Sequence, residues 1–177
     1  MKKIIIHILL VLTFIITYLF HVNLFSWFKI AGVMPNIFVI LVLFIGLFLG
    51  RIQGTTYGII FGIFLDFFIG RRVGITAIML GLIGLIGGIF DKNFSKESRI
   101  AIILMVIAST LIYEIGSYTI GFFIYNYMFN IITFIKILLI ECIYNLLITI
   151  ILYPAIQNLG HIIEDEFKRN KILTRYF

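Results

Sequence analysis

Six apolar runs dominate the chain, at 4–22, 35–50, 54–70, 73–90, 100–125 and 131–157, and no loop between them exceeds about a dozen residues. A transmembrane helix needs about 20 predominantly apolar residues, with a range of about 17–25. Each run meets or approaches that length. The pattern predicts an all-α integral membrane protein, a single domain over 1–177 built as a compact bundle of about six transmembrane helices. Loops this short cannot fold into a catalytic domain outside the bilayer.

Composition points the same way. Hydrophobic residues make up 62% of the 177 and charged residues 12%, against about 45–50% and about 25% in soluble domains. A small soluble fold cannot bury that much apolar surface, so the bilayer must act as solvent. The net charge of +6 is scattered between apolar runs and forms no basic stripe, which excludes a nucleic-acid partner. A single cysteine, Cys142, rules out an internal disulfide and a Cys-based metal site.

The first run follows Lys2 and Lys3 but is longer than the apolar core of a cleavable signal, about 7–15 residues. Bulky Tyr18, Leu19, Phe20 and His21 stand where small residues would precede a cut. An uncleaved first helix is expected. With six spans and the N-terminus inside, ten basic residues fall on the cytoplasmic side: Lys2, Lys3, Arg51, Lys92, Lys96, Arg99, Lys168, Arg169, Lys171 and Arg175. Lys29, Arg71 and Arg72 fall outside, and Lys136 lies within the last span. The positive-inside rule then predicts that both termini are cytoplasmic. The tail at 158–177, where Ile162, Ile163 and Phe167 mix with acids and bases, reads as an interfacial helix.

Glycine carries the densest local signal. Gly54, Gly58 and Gly62 recur every four residues and Asp66 continues the spacing, with Gly70 and Gly74 beyond it. Positions four apart share a helix face, and small residues there let a neighbouring backbone approach closely. Gly46 and Gly50 form a second such pair, and Gly84 and Gly88 a third. Asp66 shares the glycine face, so it should point into the bundle, either as a structural ion pair with Arg71 or Arg72 or as a functional group.

Two more acids, Glu114 and Glu141, stand inside the fifth and sixth runs. Thr110, Glu114 and Ser117 form one polar stripe, and Glu141, Asn145 and Thr149 another. Unpaired polar groups are costly in hydrocarbon, so a hydrogen-bonded seam between the last two helices is expected. Its acids would be neutralised by Lys136 or by protonation. His7, His21 and His161 show no metal-binding spacing, and no nucleophile elbow or P-loop appears. No cofactor, no metal and no enzymatic activity are expected.

One stretch carries a family likeness. Pro35, Asn36, Ile37 and Phe38 open a span, then come Gly50, Gly54, Gly58, Gly62 and Asp66, then Gly70 and a short turn into Val73, Gly74, Ile75 and Thr76. This resembles the MreD family of bacterial rod shape-determining proteins. The resemblance implies a non-enzymatic component of the cell-elongation complex in the bacterial cytoplasmic membrane, scaffolding or regulating lateral peptidoglycan synthesis with MreC. It implies further partners, directly or through MreC, in the MreB filament, a RodA-type glycosyltransferase and a class B penicillin-binding transpeptidase. The size, helix number and termini also resemble the substrate-binding component of energy-coupling-factor vitamin transporters. Against that alternative, the first helix lacks the small residues spaced by three with which such components dock.

Overall fold

A computed structural model describes residues 2–69, 74–93, 98–125 and 130–173 of the chain. The chain forms six helices: α1 (Lys2–Asn23), α2 (Ile37–Leu49), α3 (Arg51–Phe68), α4 (Ile75–Asn93), α5 (Arg99–Tyr125) and α6 (Ile131–Leu173). No strand occurs among the described residues. An isolated bridge between Ile30 and Val33 closes a turn between α1 and α2, with Ala31 and Gly32 at positive φ inside it.

Six helices are present, but they are unequal. Three are long and apolar enough to cross a membrane, over Ile4–Asn23, Arg99–Ile124 and Ile131–Asp165, while Ile37–Leu49 and Ile75–Phe90 are shorter apolar helices. At 13 residues, α2 is about 20 Å long, short of a hydrocarbon core about 30 Å thick. Its burial explains how it manages. Every residue of α2 except Leu41 is buried, and it packs against all five other helices. A helix enclosed by protein has no lipid face whose length must match the bilayer. The second, third and fourth runs, the shorter ones in the sequence, thus form three shorter helices beside three long ones.

The long helices show the converse pattern. Among the described side chains of α1 only Ile6, Leu10 and Phe14 are buried, one residue per turn of a single face, whereas Ile4, Ile5, Ile8, Leu12 and Leu19 are exposed. A stripe that narrow suits a helix bathed in lipid on its other sides. Phe14 anchors it, stacked on Phe61 at 4.0 Å between ring centres and edge-on to Phe64 at 5.4 Å. Trp27 is 88% exposed just beyond the end of α1, at the level where an amphipathic indole suits a membrane interface.

The tail departs from the sequence expectation. No separate helix begins at 158, because α6 runs from Ile131 through Pro154 to Leu173 without a break. Proline removes one ladder hydrogen bond, yet packing beyond it keeps the helix going. A Cβ at Gly160 would strike the Phe48 ring, and His161 meets that ring edge-on at 5.6 Å. Arg99 also lies over the Tyr153 ring, 5.6 Å from its centre.

Candidate functional site

The glycine face resolves into backbone-to-backbone contact among α2, α3 and α4. A Cβ at Gly54 would come within 3.0 Å of the Gly84 backbone and of the Gly46 Cα. One turn on, a Cβ at Gly58 would strike the Leu80 carbonyl, and a further turn on, one at Gly62 would strike the Ala77 backbone. Steps of four residues along α3 are matched by steps of four and then three back along α4, an antiparallel seam about two turns long. Gly46 meets Gly84 and Gly88 from α2, and Gly88 meets the Arg51 backbone. Gly81 and Gly87 join the same helix contacts, although the sequence pattern did not single them out.

Two of the expected packing glycines do something else. Gly50 (φ 93) and Gly74 (φ 108) would meet nothing within 4 Å if given a Cβ. Both serve turns, Gly50 between α2 and α3 and Gly74 before α4, where positive φ favours a residue without a side chain. Gly70, Arg71 and Arg72 lie outside the described residues.

Asp66 has a structural role that neither sequence alternative anticipated. Its carboxylate accepts hydrogen bonds from the backbone N–H groups of Gly74 (2.8 Å), Thr76 (3.2 Å) and Ala77 (3.2 Å). Those donors belong to the first turn of α4, whose N–H groups have no intrahelical partners. A carboxylate there satisfies them and faces the positive end of the helix dipole. Asp66 thus closes the α3–α4 hairpin from its own helix, and it is 1% exposed.

The polar seam joins three helices rather than two. Asn145 on α6 donates through Nδ2 to Thr110 Oγ1 on α5 (3.0 Å) and accepts through Oδ1 from the Asn36 backbone N–H at the start of α2 (2.8 Å). Thr110 and Thr149 also bond back to the carbonyls of Val106 (2.9 Å) and Asn145 (2.7 Å) in their own helices. Asn145, Thr110 and Thr149 are essentially fully buried. One turn away, the Glu114 and Glu141 side chains interact directly, with those of Asn36 and Asn145 beside Glu141. Two carboxyl groups this close disfavour the doubly ionised state. Lys136 is exposed and, among the described residues, makes no ion pair with either acid. Ser117 stands apart from the hydrogen-bonded seam, its Oγ buried without a partner.

Tyr113 extends this layer. Its hydroxyl lies with the Asn36 and Thr76 side chains, so the layer runs from the Asp66 cap through Thr76 and Tyr113 to Asn36, Glu141 and Glu114. An aromatic residue in an apolar run gives no signal of such a role; only its place beside Glu114 hints at it.

A cavity of about 460 Å³ opens onto the layer. It lies at the end of the bundle where α1 and α3 finish and α2, α4 and α6 begin. His21, Asn36, Thr76, Tyr113 and Glu141 line it, with Lys136 and apolar Met34, Phe38, Leu65 and Ile137. Oε1 of Glu141 and Nδ1 of His21 are both buried without a hydrogen-bond partner. Among the described residues no group of three or more His, Cys, Asp or Glu is placed to hold a metal ion.

Comparison with known proteins gives one match. The family model described as rod shape-determining protein MreD fits residues 1–162, most of the chain. No curated protein and no solved structure matches.

Proposed function

We propose, for a chain that belongs to the MreD family of rod shape-determining proteins, the part of a membrane scaffold that works with MreC-type partners in lateral wall synthesis. The family match over residues 1–162 carries this reading. Family membership implies a membrane component that determines rod shape, and the helices supply the physical means. A hairpin seamed backbone to backbone and capped by a buried carboxylate is stiff, and a stiff element can present a constant surface to a partner.

On this reading the chain sits in the cytoplasmic membrane with both termini inside, as the distribution of its basic residues favours. The cavity then opens toward the outer face. The lipid-facing sides of α1, α5 and α6 leave ample surface for a partner's membrane helix. The glycine seam and the polar layer hold the bundle in shape, and neither performs catalysis. MreB filaments, a RodA-type glycosyltransferase and a class B transpeptidase would be engaged directly or through MreC.

Co-purification from native membranes under mild detergent tests the proposal. A tagged chain should bring down an MreC-type protein together with wall synthases. Recovery of transport ATPase subunits in their place would overturn it in favour of a vitamin-transporter subunit.

A further inference from the structure

The cavity holds two buried polar atoms that the fold leaves without partners. Oε1 of Glu141 belongs to a side chain only 5% exposed, and Nδ1 belongs to His21, which lines the same cavity. Buried polar groups are nearly always satisfied, so two orphan atoms on residues that line one cavity call for an explanation. Packing does not need them there, because the seam is already closed by Asn145, Thr110 and the Asn36 N–H.

The chemistry of the lining selects the occupant. Carboxylate oxygens only accept, and the Glu114–Glu141 pair carries one net negative charge when it shares a proton. A primary ammonium offers three donors and no acceptor, which matches Oε1 and, in the tautomer with the proton on Nε2, Nδ1 of His21. Lys136 stands five residues before Glu141 on α6, about 7.5 Å toward the open end by helical rise. A lysine there suits an anionic group attached to the ammonium. Met34, Phe38, Leu65 and Ile137 give the remaining wall an apolar character.

We infer that this cavity binds a zwitterion that carries a primary ammonium, seated against Glu141 and His21, and a phosphate near Lys136. Phosphoethanolamine has this chemistry, as a phospholipid headgroup or as a free molecule. The inference does not depend on the scaffold role, and a failure of either leaves the other standing.

The test is native mass spectrometry of the purified chain released from nanodiscs of equal parts phosphatidylethanolamine, phosphatidylcholine and phosphatidylglycerol. Choline keeps the charge but has no N–H, and glycerol lacks the cation. The wild type should retain the ethanolamine lipid about tenfold over either competitor, the discrimination one hydrogen bond to a charged group supplies. Glu141→Leu should lower the retained lipid to the bulk ratio. If that variant does not fold, Thr133→Trp decides, because Thr133 lies exposed at the cavity mouth and an indole there would fill it. A parallel arm adds free phosphoethanolamine to lipid-free protein in detergent. A rise in Tm there, lost in the same variant, supports the site with a soluble source, and enrichment of the lipid alone supports it with a membrane source. Retention at the bulk ratio with no rise in Tm, or enrichment unchanged in the folded variant, overturns the inference.

Discussion

Substituting alanine for Gly58 should loosen the α3–α4 hairpin, and the same change at Gly81 should not. At Gly58 the new Cβ would lie 2.6 Å from the Leu80 carbonyl carbon and 2.9 Å from the Gly81 nitrogen. Neither backbone atom can rotate away. The Leu80 carbonyl oxygen is nearer still, so reaching ordinary contact requires about 1 Å of separation between two closely packed helices. Overpacking of this kind costs about 1–3 kcal/mol, and the fixed register puts Gly58 toward the upper end. At Gly81 the nearest atom is Ile59 Cγ1 at 2.7 Å, a side-chain atom that χ1 rotation can move on a partly exposed residue. A rotamer adjustment there costs about 0.5–1.5 kcal/mol. Both substitutions are Gly→Ala within a helix, so the gain in helix propensity cancels between them. Equilibrium unfolding in mixed SDS and neutral detergent should find Gly58→Ala less stable than Gly81→Ala by at least about 1 kcal/mol. Equal stability would refute the claim that α3 and α4 meet through backbone.

The other interactions make separable predictions. Asp66→Ala strips three N–H groups of their acceptor and should cost about 1–3 kcal/mol. Asp66→Asn keeps one acceptor oxygen and should cost less, read in the same unfolding assay. Thr110→Val removes the hydrogen bond from Asn145 and the bond back to the Val106 carbonyl, each worth about 0.6 kcal/mol on average within a membrane, whereas Asn145→Leu also orphans the buried Asn36 N–H and should cost more. A periplasmic-type reporter fused after residue 72 should be active if both termini are cytoplasmic; a cytoplasmic-type signal there would reverse the proposed orientation.

Much of this was legible in the residues. Long apolar runs locate all six helices, because the bilayer demands length and apolarity and little else. The four-residue glycine period announced a close helix contact, and the stripes at Thr110 and Asn145 announced polar pairing. Hydropathy could not distinguish a helix enclosed by protein from one facing lipid, since both are apolar all round. That is why the run at 35–50 reads as a short span, and its enclosure by the other helices shows only in the structure. The period alone also could not separate packing glycines from Gly50 and Gly74, whose value lies in backbone conformation. Asp66 was visible as costly, but its partners are backbone N–H groups, which carry no sequence signature. The continuity of α6 past Pro154 rests on Phe48, more than a hundred residues away. The cavity is beyond the reach of pattern altogether, because all six helices contribute residues to it.

The central claim, that this chain helps set rod shape as a membrane scaffold, is tested most directly by cell geometry. Depleting the chain in its own bacterium, while expressing a variant in its place, isolates the contribution of the hairpin. The account predicts that depleted cells lose their rod form and round up, that the wild type and Gly81→Ala restore the length-to-width ratio, and that Gly58→Leu, inserted at equal level, does not. Rods that persist after depletion would contradict it.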